Sequence, residues 1–308
     1  MLMSPTLVND LEFFSSQIVS HVAQINTGLC NRNFVVTSNQ GKYLLRLFGP
    51  ALDSQRRCDE FSAQALAYSA KIAPQPFVHY LPHQLPSSWL SWFKTHALPN
   101  HGLMLSAFFN GSRWSDMVSY SDDMLAALSN QLARLHQLSM TSAPKAAQPT
   151  ALLKGYWQGC GEKSLQARQR YQQVCAALRQ LKLDNSSLIH GDLNPTNLLI
   201  QANEYQIIDW EFSCQGDYHL DLASAIVELN LDTAQSHWFI SQYEGRRAGV
   251  TVDSQKLTLC KIYYLGFCWL WQPPQAGLLN EADHQQRYSD KLDYLLAING
   301  AEDSTKRL

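Results

Sequence analysis

One stretch of the chain concentrates side chains that can do chemistry. An apolar run, Leu188-Ile189, delivers His190, Gly191 and Asp192 to a polar loop; Asn197 follows five positions after Asp192, and Leu198-Leu199-Ile200 resumes the apolar pattern. Twelve residues beyond Asn197, Asp209 closes the run Ile207-Ile208 and is followed by Trp210 and Glu211. A carboxylate that orients and deprotonates a hydroxyl, and hard oxygen ligands that hold a divalent ion against nucleotide phosphates, are the parts phosphoryl transfer needs. Asp192, Asn197 and Asp209 supply those types. Taken singly, Asp and Asn are ordinary turn residues; it is the order His, Gly, Asp, Asn and a later strand-ending Asp that points to chemistry.

This arrangement resembles the catalytic-loop logic of protein kinases. With His190-Gly191-Asp192 and Asp209-Trp210-Glu211 in place of the protein-kinase triplets, it is similar to the aminoglycoside phosphotransferase and choline kinase superfamily, and closest to bacterial choline/ethanolamine or thiamine kinases. The resemblance extends over most of the chain. It implies an α+β, bilobal protein-kinase-like fold, with a small N-terminal β-sheet lobe carrying one helix and a larger, mainly helical C-terminal lobe. It implies ATP and Mg2+ as cofactors, Asp192 as the catalytic base, and Asn197 and Asp209 as metal ligands. Glu211 falls near the metal region, where choline kinase relatives also carry Glu. His190 reads as a buried scaffold for the loop. Gly216-Asp217-Tyr218-His219-Leu220-Asp221-Leu222-Ala223 resembles a family signature in which Asp217 caps a helix and Asp221 buttresses the catalytic loop, both structural roles.

For the nucleotide, Gly28-Leu29-Cys30-Asn31-Arg32-Asn33 resembles the short phosphate-covering loop of choline kinases, with Asn31 and Asn33 as contacts, although an ordinary turn has the same composition. Arg46 takes the place of the phosphate-gripping lysine, and a guanidinium offers a fork of donors for it. Glu60 falls where the family carries the partner of that cation; the alternative is a surface glutamate on an amphipathic helix. The strand through Ser106 and Phe108 is the implied hinge, its backbone bonding the adenine edge.

For the acceptor, Glu228 lies seven residues beyond Asp221, the offset of a pocket-lining glutamate in choline kinases. Tyr263-Tyr264-Leu265-Gly266-Phe267-Cys268-Trp269-Leu270-Trp271 resembles the aromatic helix closing the choline site. A permanent organic cation suits aromatic faces beside a carboxylate. The tryptophans stand two apart, closer than in eukaryotic choline kinases, so on a helix only one of Trp269 and Trp271 faces a pocket shared with Tyr264. The other reading of this stretch is a buried helix, because aromatic runs most often pack.

The implied activity is therefore transfer of the γ-phosphate to a small-molecule hydroxyl acceptor such as choline, ethanolamine or thiamine. An aminoglycoside-type antibiotic phosphotransferase and a nucleotide-binding pseudokinase module are the competing readings. A protein substrate is disfavoured by the lack of an Ala-Pro-Glu element or long activation segment after Glu211.

The elements needed to position these residues are legible from periodicity. Residues 33–36 and 43–48 flank a polar turn and read as a hairpin, and residues 53–70 carry a helical pattern stopped by Pro74 and Pro76. A strand fits residues 102–109. Helices fit 121–138 and 163–183, with residues 141–150 as linker; short strands fit 187–190, 197–200 and 205–210, and beyond Tyr218 the pattern is helical, interrupted at 245–251 and at Pro273-Pro274. The expected division is a nucleotide-binding lobe over residues 1–110 and a catalytic and acceptor-binding lobe over 111–308.

Composition excludes other classes. The 308 residues are 45% hydrophobic and 16% charged, a globular enzyme's balance, and a net charge of -2 offers no long-range attraction for nucleic acid or an anionic membrane. Seven scattered cysteines without a C-x-x-C pair read as reduced. With no basic segment or long apolar run in residues 1–14, a cytoplasmic location is expected. The sequence leaves the oligomeric state open.

Overall fold

The structure, a computed structural model, describes residues 3–25, 31–49, 54–140, 149–161, 163–271 and 281–305. The chain opens with α1 (Pro5–Asn9), β1 (Val19–Ile25), β2 (Arg32–Ser38), β3 (Gly41–Leu47) and α2 (Ser54–Ser69). It continues through β4 (Pro76–Tyr80), α3 (Ser87–Thr95), β5 (Leu103–Ala107) and β6 (Ser112–Arg113). Then come α4 (Asp122–Leu135), α5 (Pro149–Gly159), α6 (Leu165–Leu178), β7 (Ser187–Ile189), β8 (Leu198–Gln201), β9 (Glu204–Ile207) and β10 (Cys214–Gly216). Four helices finish it: α7 (Tyr218–Glu228), α8 (Thr233–Arg246), α9 (Ser254–Leu270) and α10 (Glu281–Thr305).

The chain divides into two units, Met1–Asp116 with Asn197–Phe212, and Met117–Thr196 with Ser213–Leu308. This differs from a single boundary at residue 110. The β8–β9 hairpin belongs to the first unit because β8 pairs with β6, and because the Ile207 amide donates to the Ile72 carbonyl at 2.8 Å.

In the first unit a five-stranded antiparallel sheet runs in the order β1-β2-β3-β5-β4. Alternation along β2 and β3 sends Phe34, Val36, Leu45 and Leu47 into an apolar core with Leu103, Leu105 and Trp89. Opposite faces of the same strands are left for polar work. The expectation of one helix in this unit is corrected: α1 and α3 accompany α2. Helix α3 forms because Trp89 and Phe93, four apart, bury one face, and the Trp89 indole donates to the Leu7 carbonyl at 2.9 Å.

The second unit is helical apart from the two-stranded β7–β10 pair. Ser121 caps α4 and Ser164 caps α6, each hydroxyl accepting from an amide of the first turn. Helix α9 is the hub, packed by α5, α6, α7 and α10. Its Gly266 permits close approach, since a side chain there would press on Val174 at 3.3 Å. Ile262, Leu265 and Leu292 are buried in the same core, each contributing about 1.5–3 kcal/mol. The linker expected over 141–150 lies mostly outside the described residues; α5, starting at Pro149, was not foreseen because its pattern blends into that Pro- and Ala-rich run. Among the described residues no helix is long and apolar enough to cross a membrane.

Candidate functional site

In the first unit the predicted residues gather around one guanidinium. Arg46 lies on the face of β3 opposite Leu45 and Leu47, and is 5% exposed. Its Nη1 donates to Glu60 Oε1 at 2.6 Å and to Asp209 Oδ1 at 2.8 Å. Glu60 comes from α2 and is 1% exposed, so it is no surface glutamate. Asn33 stands directly across the ladder from Arg46. Asn31 donates from Nδ2 to Glu211 Oε2 at 2.9 Å, and its Oδ1 accepts from the Gly49 amide at 2.9 Å. The rest of the predicted phosphate-covering loop, residues 28–30, lies outside the described residues.

The charges here are unbalanced. Burial works against the Arg46 cation, but Asp209, Glu60 and Glu211 outweigh it and hold its pKa above the ordinary value. Burial pushes the Glu60 carboxyl up to about 7 against the pull of Arg46, and burial together with Asp209 pushes Glu211 to about 8. Glu60 Oε2 is buried without a hydrogen-bond partner. Three carboxylates around one guanidinium leave room for further positive charge.

The β8–β9 hairpin brings Asn197 and Asp209 together. Leu198 pairs with Ile207, and one step outward the Ile208 amide donates to the Asn197 carbonyl at 2.9 Å. Asp209 follows in the left-handed region at φ 71°, which Asp tolerates better than bulkier residues. Its carboxylate is 30% exposed and accepts the Arg46 bond on Oδ1. No group of three His, Cys, Asp or Glu able to hold a metal occurs among the described residues. Two protein oxygens fit magnesium nonetheless, because that ion is commonly held by one or two protein oxygens plus phosphates and water.

On β5, Ser106 is buried. The Ala107 amide donates to Gln75 O at 2.8 Å and the Phe108 amide to Lys42 O at 3.2 Å. These two donors are committed to the sheet, so adenine contacts expected here would have to come from carbonyls or from residues beyond Phe108.

In the second unit, Asp192 sits in a loop held by its own neighbours. The amides of His190 and Gly191 donate to Asp221 Oδ2 at 2.8 Å and Oδ1 at 2.9 Å. The Asp192 amide donates to His190 Nδ1 at 3.2 Å, and His190 is fully buried. Gly191 adopts φ 82°, a conformation that needs glycine to turn the loop there. Burial opposes the Asp221 charge, but bonds from His136 and the His190 amide keep its carboxyl below the usual range. Asp217 caps α7 by accepting from the His219 amide.

Glu228 and the aromatic residues belong to the same unit. Glu228 is 8% exposed; its Oε1 accepts from the Tyr288 hydroxyl at 2.7 Å, and Arg287 Nη2 approaches its Oε2 at 3.8 Å. Burial drives the Tyr264 hydroxyl well above its ordinary pKa, and Glu228 and Asp192 add to it. The Tyr264 hydroxyl thus lies within electrostatic reach of Glu228, Asp192 and Tyr288. Tyr288 was missed, since a lone tyrosine in a polar helical stretch carries no sequence signal.

The tryptophans separate differently from the helical expectation. Helix α9 ends at Leu270, and Trp271 is its extended C-cap at φ -68° and ψ 133°, so helical geometry does not relate the pair. Trp271 stands 5.9 Å from the His284 ring. Trp269 is 7% exposed in the core, with the Arg170 guanidinium 5.1 Å above its ring. Arg170 is itself fixed by two 2.7 Å bonds to Asp293. An internal cation already stacks on Trp269.

Over 91 residues the chain is 33% identical to a LicA homolog of Mycoplasma capricolum, covering 29% of this chain and 36% of that one. Over 153 residues it is 26% identical to the LicA homolog of Metamycoplasma hominis, 49% of this chain and 59% of that one. These matches span less than two thirds of the curated relatives. Among solved structures, the choline kinase LicA from Streptococcus pneumoniae superposes with TM-score 0.72 at 18% identity, over 94% of this chain and 98% of that one. A choline/ethanolamine kinase family protein from Mesorhizobium loti gives 0.67 at 17%, covering 95% and 96%. A spectinomycin phosphotransferase in complex with ADP and spectinomycin gives 0.64 at 11%, covering 98% and 99%. The fold is therefore protein-kinase-like. The family described as "Phosphotransferase enzyme family" matches residues 21–251, three quarters of the chain, and the chain belongs to that family.

Proposed function

We propose that the protein is an ATP-dependent kinase that transfers the γ-phosphate to a hydroxyl of an amino alcohol or similar cationic metabolite, of which choline, ethanolamine and thiamine are the leading examples. The observation that carries this reading is Arg46 held between Glu60 and Asp209, with Asp209 beside Asn197 at one hairpin end. A fixed guanidinium flanked by oxygen ligands suits a triphosphate with its counter-ion.

Each residue then has a task. Arg46 grips phosphate oxygens, Glu60 fixes Arg46, and Asn31 and Asn33 contact the nucleotide from β2 and the turn before it. Asn197 and Asp209 would hold magnesium, which when bound neutralises charge on the phosphates. Asp192 accepts the proton of the acceptor hydroxyl as its oxygen forms a bond to the γ-phosphorus; the bond from that phosphorus to the bridging oxygen breaks, and ADP leaves. Glu228, oriented by Tyr288, supplies negative charge for a cationic acceptor, with Tyr264 and Trp271 alongside. Glu211 closes the site through Asn31. Use of ATP and six free described thiols go with a cytoplasmic location.

The test is an ADP-release assay against choline, ethanolamine, thiamine and aminoglycosides, repeated with Asp192→Ala. Turnover with an amino alcohol or thiamine that falls about 10²- to 10⁴-fold in the variant supports the reading. Turnover restricted to aminoglycosides moves the acceptor to the antibiotic class, and wild-type ADP release unaltered in Asp192→Ala overturns the base.

A further inference from the structure

A buried polar chain runs through the second unit from the end of α8 to the loop of Asp192. Arg247, the C-cap of α8, donates from Nη1 to the Tyr243 hydroxyl oxygen at 2.6 Å. Its guanidinium lies 4.9 Å over the Tyr218 ring, which holds it in place. The Tyr243 hydroxyl stands 2.9 Å from His136 Nδ1, and His136 Nε2 stands 3.1 Å from Asp221 Oδ2. Tyr243 and Asp221 are fully buried and His136 is 2% exposed. The two Asp221 oxygens accept the His190 and Gly191 amides.

The direction of the bonds is fixed by their ends. Tyr243 oxygen accepts from an arginine that can only donate, so its proton is directed to His136 Nδ1. Asp221 is held ionised and can only accept, so His136 carries its proton on Nε2. The imidazole is thereby locked in one neutral tautomer. Where α4 and α8 pack, apolar residues of equal volume would fill the space without the desolvation this chain requires. A polar chain is retained where orientation matters.

We propose that Arg247, Tyr243 and His136 are positioning residues for phosphoryl transfer, acting through Asp221 on the backbone of the Asp192 loop. The role rests on the reading of Asp192 as the acceptor's base. Without the Tyr243 hydroxyl, His136 keeps its proton on Nε2 against Asp221, but Nδ1 loses its donor and is left buried and unsatisfied. The ring is then held at one end only, and as it turns toward another donor it draws the Asp221 carboxylate out of register with the loop amides.

The experiment uses the full chain and Tyr243→Phe, which keeps the ring. In imidazole ¹⁵N spectra, both proteins show the Nε2–H tautomer, the His136 Nδ1 resonance of the variant shifts as its hydrogen bond is lost, and the His190 and Gly191 amide resonances move with it. With the best amino-alcohol acceptor, kcat falls about tenfold or more while KM for ATP and acceptor stays within about twofold. Arg247→Met gives a smaller change in the same direction, and Arg247→Lys, which keeps a donor, falls between it and wild type. Unmoved His190 and Gly191 loop amides in Tyr243→Phe overturn the proposal. So does a loss of turnover expressed wholly in KM. Should the wild type phosphorylate no acceptor, the functional reading fails, and the Nδ1 and amide shifts still decide whether the chain positions the loop.

Discussion

Arg46 and Asp209 meet at 2.8 Å although 163 positions separate them in the chain. The same nitrogen serves Glu60 at 2.6 Å, so one guanidinium registers a strand, a helix and a hairpin of the first unit against each other. Arg46 thereby carries both structural and electrostatic duty.

Its structural share appears when Glu60 is removed. Glu60→Ala leaves Arg46 buried beside a single remaining bonded carboxylate and costs about 3 kcal/mol or more, read from urea unfolding. Glu60→Gln retains an acceptor for Nη1 and relieves the crowding of carboxylates, so it costs markedly less. Equal losses for the two variants would show that the charge of Glu60, not its hydrogen bond, is what matters.

Asp209→Ala abolishes the magnesium dependence of nucleotide binding while leaving weak, metal-independent affinity through Arg46. Calorimetry with ATP, with and without magnesium, reads this directly. A variant whose affinity still rises with the metal removes Asp209 from the ligand set.

Glu228→Gln separates the acceptor from the nucleotide. A buried carboxylate bonded by Tyr288 loses its charge while the shape stays, so KM for a cationic acceptor rises about tenfold or more and KM for ATP is unaffected. Initial-rate kinetics with each substrate varied in turn checks it; a rise in KM for ATP instead would place Glu228 elsewhere in the cycle.

Asp217 gives the pH dependence. Burial opposes its charge, but the His219 side chain, the Asp184 amide and Lys256 together hold its carboxyl far below the ordinary value. The folded pKa is depressed, so its stabilisation is complete above the unfolded value near 3.9 and is lost as pH falls below it toward the folded pKa. At pH 7, Asp217→Asn destabilises by about 2–4 kcal/mol. The gap from wild type narrows as pH drops from about 4 toward 2 in chemical denaturation series. A constant gap would mean that packing, not charge, is what Asp217 supplies.

Local rules made much of this molecule readable. The hairpin of β2 and β3, helices α4 and α6, the Asp217 cap and the order of Asp192, Asn197 and Asp209 follow from side-chain period, capping chemistry and turn geometry, all of which act within a few residues. The order of His190, Asp192, Asn197 and Asp209 carried the family resemblance, and the resemblance in turn implied the Arg46 guanidinium and its Glu60 partner. What only the tertiary structure decided depends on residues far apart in sequence. That Arg170 covers Trp269, that α9 stops before Trp271, that the Phe108 amide is spent on Lys42, and that Tyr288 meets Glu228 are outcomes of how distant elements pack. The chain from Arg247 to Asp221 is of the same kind: each member is an unremarkable residue on its own helix, and direction arises only when burial excludes water and leaves each donor a single acceptor.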